Sequence, residues 1–180
     1  SLVVLCPVFL ALSSAPGFAQ GADNCASATP ISGTGSFPVN TVGSTDSSQQ
    51  TGSCPTAHDD VWFLWTATAT QTVDVSLCGG TSADTVLAVY LGPGCPTAGS
   101  LLGCSDDSCG LQSVVSFSAV AGASYLLQFG DYYLGVAYSS TFTIGGAAAC
   151  GSTTGPDIIV GDLPDIANYP GQTIGIVGYD

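Results

Sequence analysis

The sequence predicts an all-β fold, an antiparallel β-sandwich of jelly-roll type with about eight strands and a disulfide framework. Three observations carry this. Helical periodicity is absent beyond residue 19. Short runs of alternating or continuous apolar residues recur instead, separated by Gly, Ser, Asp and Pro, which is the texture of sandwich strands and turns. Cysteines are spread through the same span, as in exported domains.

Each strand has its own signal. Asn40 to Thr45 is a weak candidate. "DVWFLWTA" (Asp60 to Ala67) is apolar on both faces, as a central strand is. "TVDVSLC" alternates, which turns Val73, Val75 and Leu77 inward. "TVLAVYLG" follows the turn Gly79 to Asp84, and Ser100 to Cys104 is a second weak candidate. "SVVSFSAV" and "ASYLLQFG" flank Ala121-Gly122, a tight hairpin signal. "STFTIGG" closes the set with Phe142 and Ile144 inward.

Outside this block the texture changes. "SLVVLCPVFLALSSAPGFAQ" has the apolar run and small-residue cleavage site of a secretory signal peptide over residues 1–19, too short for a membrane span. It lacks the initiating Met and basic flank, so an N-terminally clipped remnant is expected. The domain itself should occupy 20–147, a flexible linker 148–156, and the start of a second, truncated module 157–180. A secreted or cell-surface protein, part of a longer chain, is the expectation.

Composition narrows the function classes. The chain has 180 residues, no Lys or Arg, thirteen acidic residues and a formal charge of −13; every acid is Asp. Without cations it cannot displace counterions from phosphate, which argues against nucleic acid and anionic membranes. Nothing after residue 19 has the length and apolarity of a membrane insertion. Wherever aspartates converge, they must stay in water, take a proton or recruit an outside cation.

Once Cys6 leaves with the signal peptide, Cys25, Cys54, Cys78, Cys95, Cys104, Cys109 and Cys150 form the expected disulfide set. The number is odd, and a partner for Cys150 is expected beyond Asp180. Cys104 and Cys109 should pin a loop by reaching Cys95 or Cys78 rather than each other.

Catalytic chemistry finds little support. The one histidine, His58, lies beside Asp59 and Asp60, but triads assemble in space and no G-x-S-x-G turn is present. Zinc would want several His ligands or paired Cys, and the aspartyl-protease D-[ST]-G pattern is missing. A non-enzyme is expected. Calcium fits better, because it takes carboxylate, carbonyl and water oxygens from sandwich loops. Asp84, Asp106 and Asp107 are the leading candidates, with Asp59, Asp60 and Asp131 also at strand ends. The competing role for these residues is turn capping by their own side chains. Tyr132 and Tyr133, with Tyr138, fall in "GDYYLGVAYSS", where loop tyrosines can contact a ligand or pack on the sandwich end.

The segments "DNCASATPI", "DDVWFLWTATATQTVDVSLCGGTSADTVLAVYLGPGC", "LLGCSDDSCGLQSVVSFSAVAGASYLLQFGDY" and "FTIGG" together resemble the pre-peptidase C-terminal type of β-sandwich. The resemblance spans Asp23 to Gly146 and is greatest to the cysteine-rich version in large secreted proteins of planctomycete-like bacteria. It implies a non-catalytic exported module appended to peptidases or surface proteins, some of which bind calcium, polysaccharide or an extracellular protein. Such modules carry "C-N-D-D" after "DTVLAVY"; Ser105 stands in place of the Asn here, which removes one possible carbonyl ligand. The tail "GPDIIVGDLPDIANY" is similar to segments that follow these modules, and to FG-GAP-type propeller repeats, in which Asp157, Asp162 and Asp165 would be calcium ligands. The expectation is therefore an accessory binding or stability module. The alternatives are a fragment of a secreted peptidase or other hydrolase, and a structural subunit of a surface layer or matrix.

Overall fold

The computed structural model describes residues 21–146. The predicted signal peptide, linker and second module lie outside the described residues, as do Cys6, Cys150, Asp157, Asp162 and Asp165.

A short 3₁₀ turn, Cys25–Ser27, precedes nine strands: β1 Thr29–Ser32, β2 Gly35–Asn40, β3 His58–Thr66, β4 Gln71–Ser76, β5 Thr85–Leu91, β6 Leu101–Ser105, β7 Val114–Ala119, β8 Ser124–Asp131 and β9 Ser139–Gly146. They form a five-stranded sheet, β1-β3-β8-β5-β6, and a four-stranded sheet, β2-β9-β4-β7. Antiparallel pairing joins β2 to β9, β3 to β8, β4 to β7 and β5 to β6. This nesting is a long hairpin rolled up on itself, the jelly roll. β1 is an addition, pairing in parallel with β3.

The alternation predicted for β4 holds: Val73 and Val75 are fully buried, Thr72 is exposed and Asp74 half-buried. Phe142 and Ile144 point inward from β9 as expected. β3 and β5 are apolar on both faces because their sheet is covered twice. One face packs Val61, Phe63, Trp65, Leu87 and Val89 against the four-stranded sheet. The other packs Trp62, Ala88, Tyr90 and Leu126 beneath loops carrying Cys25, Cys54 and Cys95.

Two expectations need correction, and one strand has no counterpart among them. Ala121-Gly122 is a turn but not a hairpin. β7 lies in one sheet and β8 in the other, and Gly122 (φ +80°) donates its N–H to Ala67 O. The weak strand placed at Asn40 to Thr45 lies earlier, at β2. Asn40 Oδ1 accepts the Val42 N–H and Gly43 has φ +88°, which ends the strand. β1 is too short and too Pro-containing to read from sequence; it is tolerated because it is an edge strand.

Phe142 is central to the core, with ring centroids 5.2 Å from Phe63 and 4.3 Å from Phe129. Truncation Phe142→Ala removes these two cross-sheet contacts and is expected to cost about 3–5 kcal/mol. Urea unfolding checks this; a loss under about 1 kcal/mol would contradict such close packing.

Candidate functional site

The rolled hairpin gathers most of the predicted site residues at one rim. Loops 41–57, 77–84, 106–113 and 132–138 all emerge where β2, β4, β6 and β8 end and β3, β5, β7 and β9 begin. Asp46, Asp59, Asp84, Asp106, Asp107 and Asp131 therefore share this rim, although they are far apart in sequence.

Each loop is held down locally. Cys54 of loop 41–57 bonds Cys104, and Cys78 of loop 77–84 bonds Cys109 of loop 106–113, while the third bridge, Cys25–Cys95, lies outside the rim loops. Cys109 thus reaches Cys78 as expected, whereas Cys104 takes neither Cys95 nor Cys78. The hydroxyl oxygen of Ser113 lies 2.6 Å from Thr85 O and 3.0 Å from Asp106 O, its single hydrogen shared between the two carbonyls, which clamps the 106–113 loop onto β5. Within that loop Asp106 Oδ1 accepts the N–H of the adjacent Asp107 at 2.8 Å.

Asp59 and Asp60 form a bulge opposite Gly130, since His58 faces Asp131 and Val61 faces Phe129. A side chain at Gly130 would come within 2.7 Å of His58 O, so the bulge requires glycine there. Asp59 adopts φ +48°, a conformation Asp tolerates better than most residues. Its Oδ2 accepts the Gly135 N–H at 2.7 Å, its carbonyl accepts the Ser44 hydroxyl, and its N–H donates to Asp46 Oδ1. Asp59 is thereby a fastening between loops 41–46 and 132–138.

Asp60 turns the other way and is fully buried. Its carboxylate accepts from Ser47 N (2.7 Å), Ser47 Oγ (2.6 Å) and Gln128 Nε2 (2.8 Å). Gln128 Oε1 in turn accepts the Tyr90 hydroxyl, whose ionisation burial pushes up to about 12. These bonds occupy Asp60 as an anchor for loop 44–50, directed away from the rim.

The exposed side of the rim is apolar and acidic together. Tyr132, Tyr133, Leu134 and Val136 are exposed close together, joined by Val42 and Leu111 from neighbouring loops. The rings of Tyr132 and Tyr133 meet edge-to-face, centroids 4.9 Å apart. Tyr138, by contrast, is buried and belongs to the core. A cleft of about 390 Å³ is lined by Pro55, Thr56, His58, Asp106 and Tyr132. His58 Nδ1 meets Asp46 Oδ2 at 2.9 Å, and this bond is the main reason the Asp46 carboxyl lies below its usual range. So the partner of His58 is Asp46, not its neighbour Asp59. Among the described residues no hydroxyl is hydrogen-bonded to the histidine's other nitrogen, the place a nucleophile occupies in a triad.

Asp84 is pushed above the ordinary carboxyl range, first by desolvation and then by the charges of Asp107 and Asp106. The charges of Asp107 and Asp106 thus reach Asp84. The three carboxylates do not converge to a point: among the described residues, no group of three or more His, Cys, Asp or Glu side chains is arranged to hold a metal ion. Asp131 lies under the rim, fully buried, with Oδ2 accepting the Thr41 hydroxyl at 3.2 Å and Oδ1 without a partner.

Sequence reasoning missed Asp46 and the apolar run Leu134 to Val136. The first has no local signal. The second was visible as apolar residues inside a Gly-bounded loop with no strand period. No protein-family model matches the chain, and no curated protein matches it.

Proposed function

We propose that this protein is an exported, non-catalytic module that gives binding or stability to a larger secreted or cell-surface protein, and that the tyrosine–aspartate rim is its contact end. One observation carries the reading: a run of exposed aromatic and aliphatic side chains is displayed on loops that disulfides, the Asp59 fastening and the Ser113 clamp hold to a rigid sandwich. Loops held in this way lose little freedom on binding. The three disulfides belong to an oxidising environment, which supports export. The sequence resemblance to pre-peptidase C-terminal sandwiches supports the accessory role, with polysaccharide or extracellular protein as the partner class. Co-sedimentation of the full chain with insoluble polysaccharides and immobilised extracellular proteins tests this; Tyr133→Ala should abolish retention. Hydrolysis of peptide or ester substrates that is lost in His58→Ala would overturn it in favour of an enzyme.

Calcium at Asp84, Asp106 and Asp107 is a second reading, favoured by three neighbouring carboxylates in a chain with no basic side chain. Binding would draw Asp107 and its loop inward, since the carboxylates do not already converge. Calcium at about a hundred times its dissociation constant should raise stability by about 2.7 kcal/mol. Melting curves with calcium and with chelator should separate, and Asp107→Asn should remove the difference while Asp74→Asn keeps it. Coincident wild-type curves would reject calcium.

A further inference from the structure

If the rim is a contact end, as proposed, its surface chemistry also selects the class of partner, and that selection rests on the proposal. The exposed apolar run Tyr132 to Val136 does not stand alone. Asp46 and Asp107 are exposed on adjoining loops of the same rim, and Asp84 and Asp106 are half-buried beside them. The Asp84 carbonyl accepts the Tyr132 N–H at 2.9 Å, and the cleft joins Tyr132 to Asp106 and His58. Aromatic rings and carboxylates are thus interleaved over one surface.

Charge decides among possible occupants. A second copy of this chain would bring an identical acidic rim against this one, with no Lys or Arg in either to separate the charges. The chain's own residues 147–180 carry four more aspartates and no Lys or Arg to pair with the rim carboxylates. An uncharged polymer could donate hydroxyls to the carboxylates but would leave their negative charge uncompensated. A polypeptide bearing Lys or Arg satisfies both halves of the surface: cations pair with Asp46, Asp84 and Asp107, and guanidinium planes stack on Tyr132 and Tyr133. We infer that the rim docks a cationic, arginine- or lysine-rich segment of a partner protein.

The experiment uses the full chain, in chelator so that calcium does not compete, and a fluorescein-labelled peptide of alternating arginine and glycine. Anisotropy should report saturable binding that weakens about tenfold or more between about 50 and 500 mM NaCl. Tyr133→Ala and Asp107→Asn should each weaken it about threefold or more. Asp74→Asn removes the same charge from β4, where Asp74 is bonded to Ser116, and should change affinity by less than about twofold. Tyr133 is 59% exposed, so its truncation leaves the fold intact, and unchanged melting checks this. Equal effects of Asp107→Asn and Asp74→Asn, or none from Tyr133→Ala, would show diffuse attraction and overturn the inference. If the peptide fails to bind while a neutral polysaccharide is retained through Tyr133, the cationic partner falls and the contact end stands. If neither binds, both fall.

Discussion

Reduction of the three disulfides is expected to unfold the sandwich at about 37 °C. The bridges Cys25–Cys95, Cys54–Cys104 and Cys78–Cys109 close loops of 70, 50 and 31 residues. Loop-closure entropy assigns each about 4 kcal/mol, against roughly 5–15 kcal/mol for a whole domain. The loops interleave, so the sum is less than three separate terms, yet it still rivals the total. Two of the bridges also hold the cover over Trp62 and Tyr90, whose sheet face would otherwise meet water. No Lys or Arg ion pair exists to compensate. Trp62 and Trp65 are both buried, so a red shift of their emission on adding dithiothreitol is the readout. An unchanged emission maximum and an unchanged urea midpoint would show that the core stands without its bridges.

Stability should fall as pH rises from about 4 to 7, and Asp131 should be the main cause. Its carboxyl is fully buried, and desolvation raises its pKa from 3.8 to about 7. The Thr41 hydroxyl opposes this, the charges of Asp59 and Asp84 reinforce it, and His58 opposes it. Between those two values the folded state holds a proton that the unfolded chain has released. Raising the pH through the window therefore removes stability, which levels off above about 7; the full change is of order 4 kcal/mol. Asp46, lowered by His58, acts oppositely, but its stability is lost only as pH falls below 3.8, outside the window. Asp131→Asn keeps the shape, should flatten the profile, and should raise the urea midpoint at about pH 8. A wild-type profile that is flat or rising between about pH 4 and 7 would exclude this account.

Much of the fold was legible because a sandwich strand records its burial in a two-residue period. "TVDVSLC" exposed its inward face directly, and "DVWFLWTA" announced a strand covered on both sides. Ala121-Gly122 misled because a tight turn has the same local chemistry whether its strands pair or part into separate sheets. The aspartates were legible one by one as strand-end residues. Asp60 and Asp59, adjacent in sequence, point into different surroundings because they occupy a bulge, and no local pattern encodes that.

The sequence by itself determined most of the strand positions, the acidic surface, the lack of any internal cation and the set of cysteines available to pair. Each of these is a matter of residue type and short period. Only the tertiary structure decided which cysteines meet, that His58 is held by Asp46, that Asp60 is an internal anchor, and that Tyr132 and Tyr133 share a rim with Asp106 and Asp107. The reason is topological. Rolling the hairpin places loops tens of residues apart side by side, and the resulting contacts depend on register and on the choice of sheet, neither of which a local period contains.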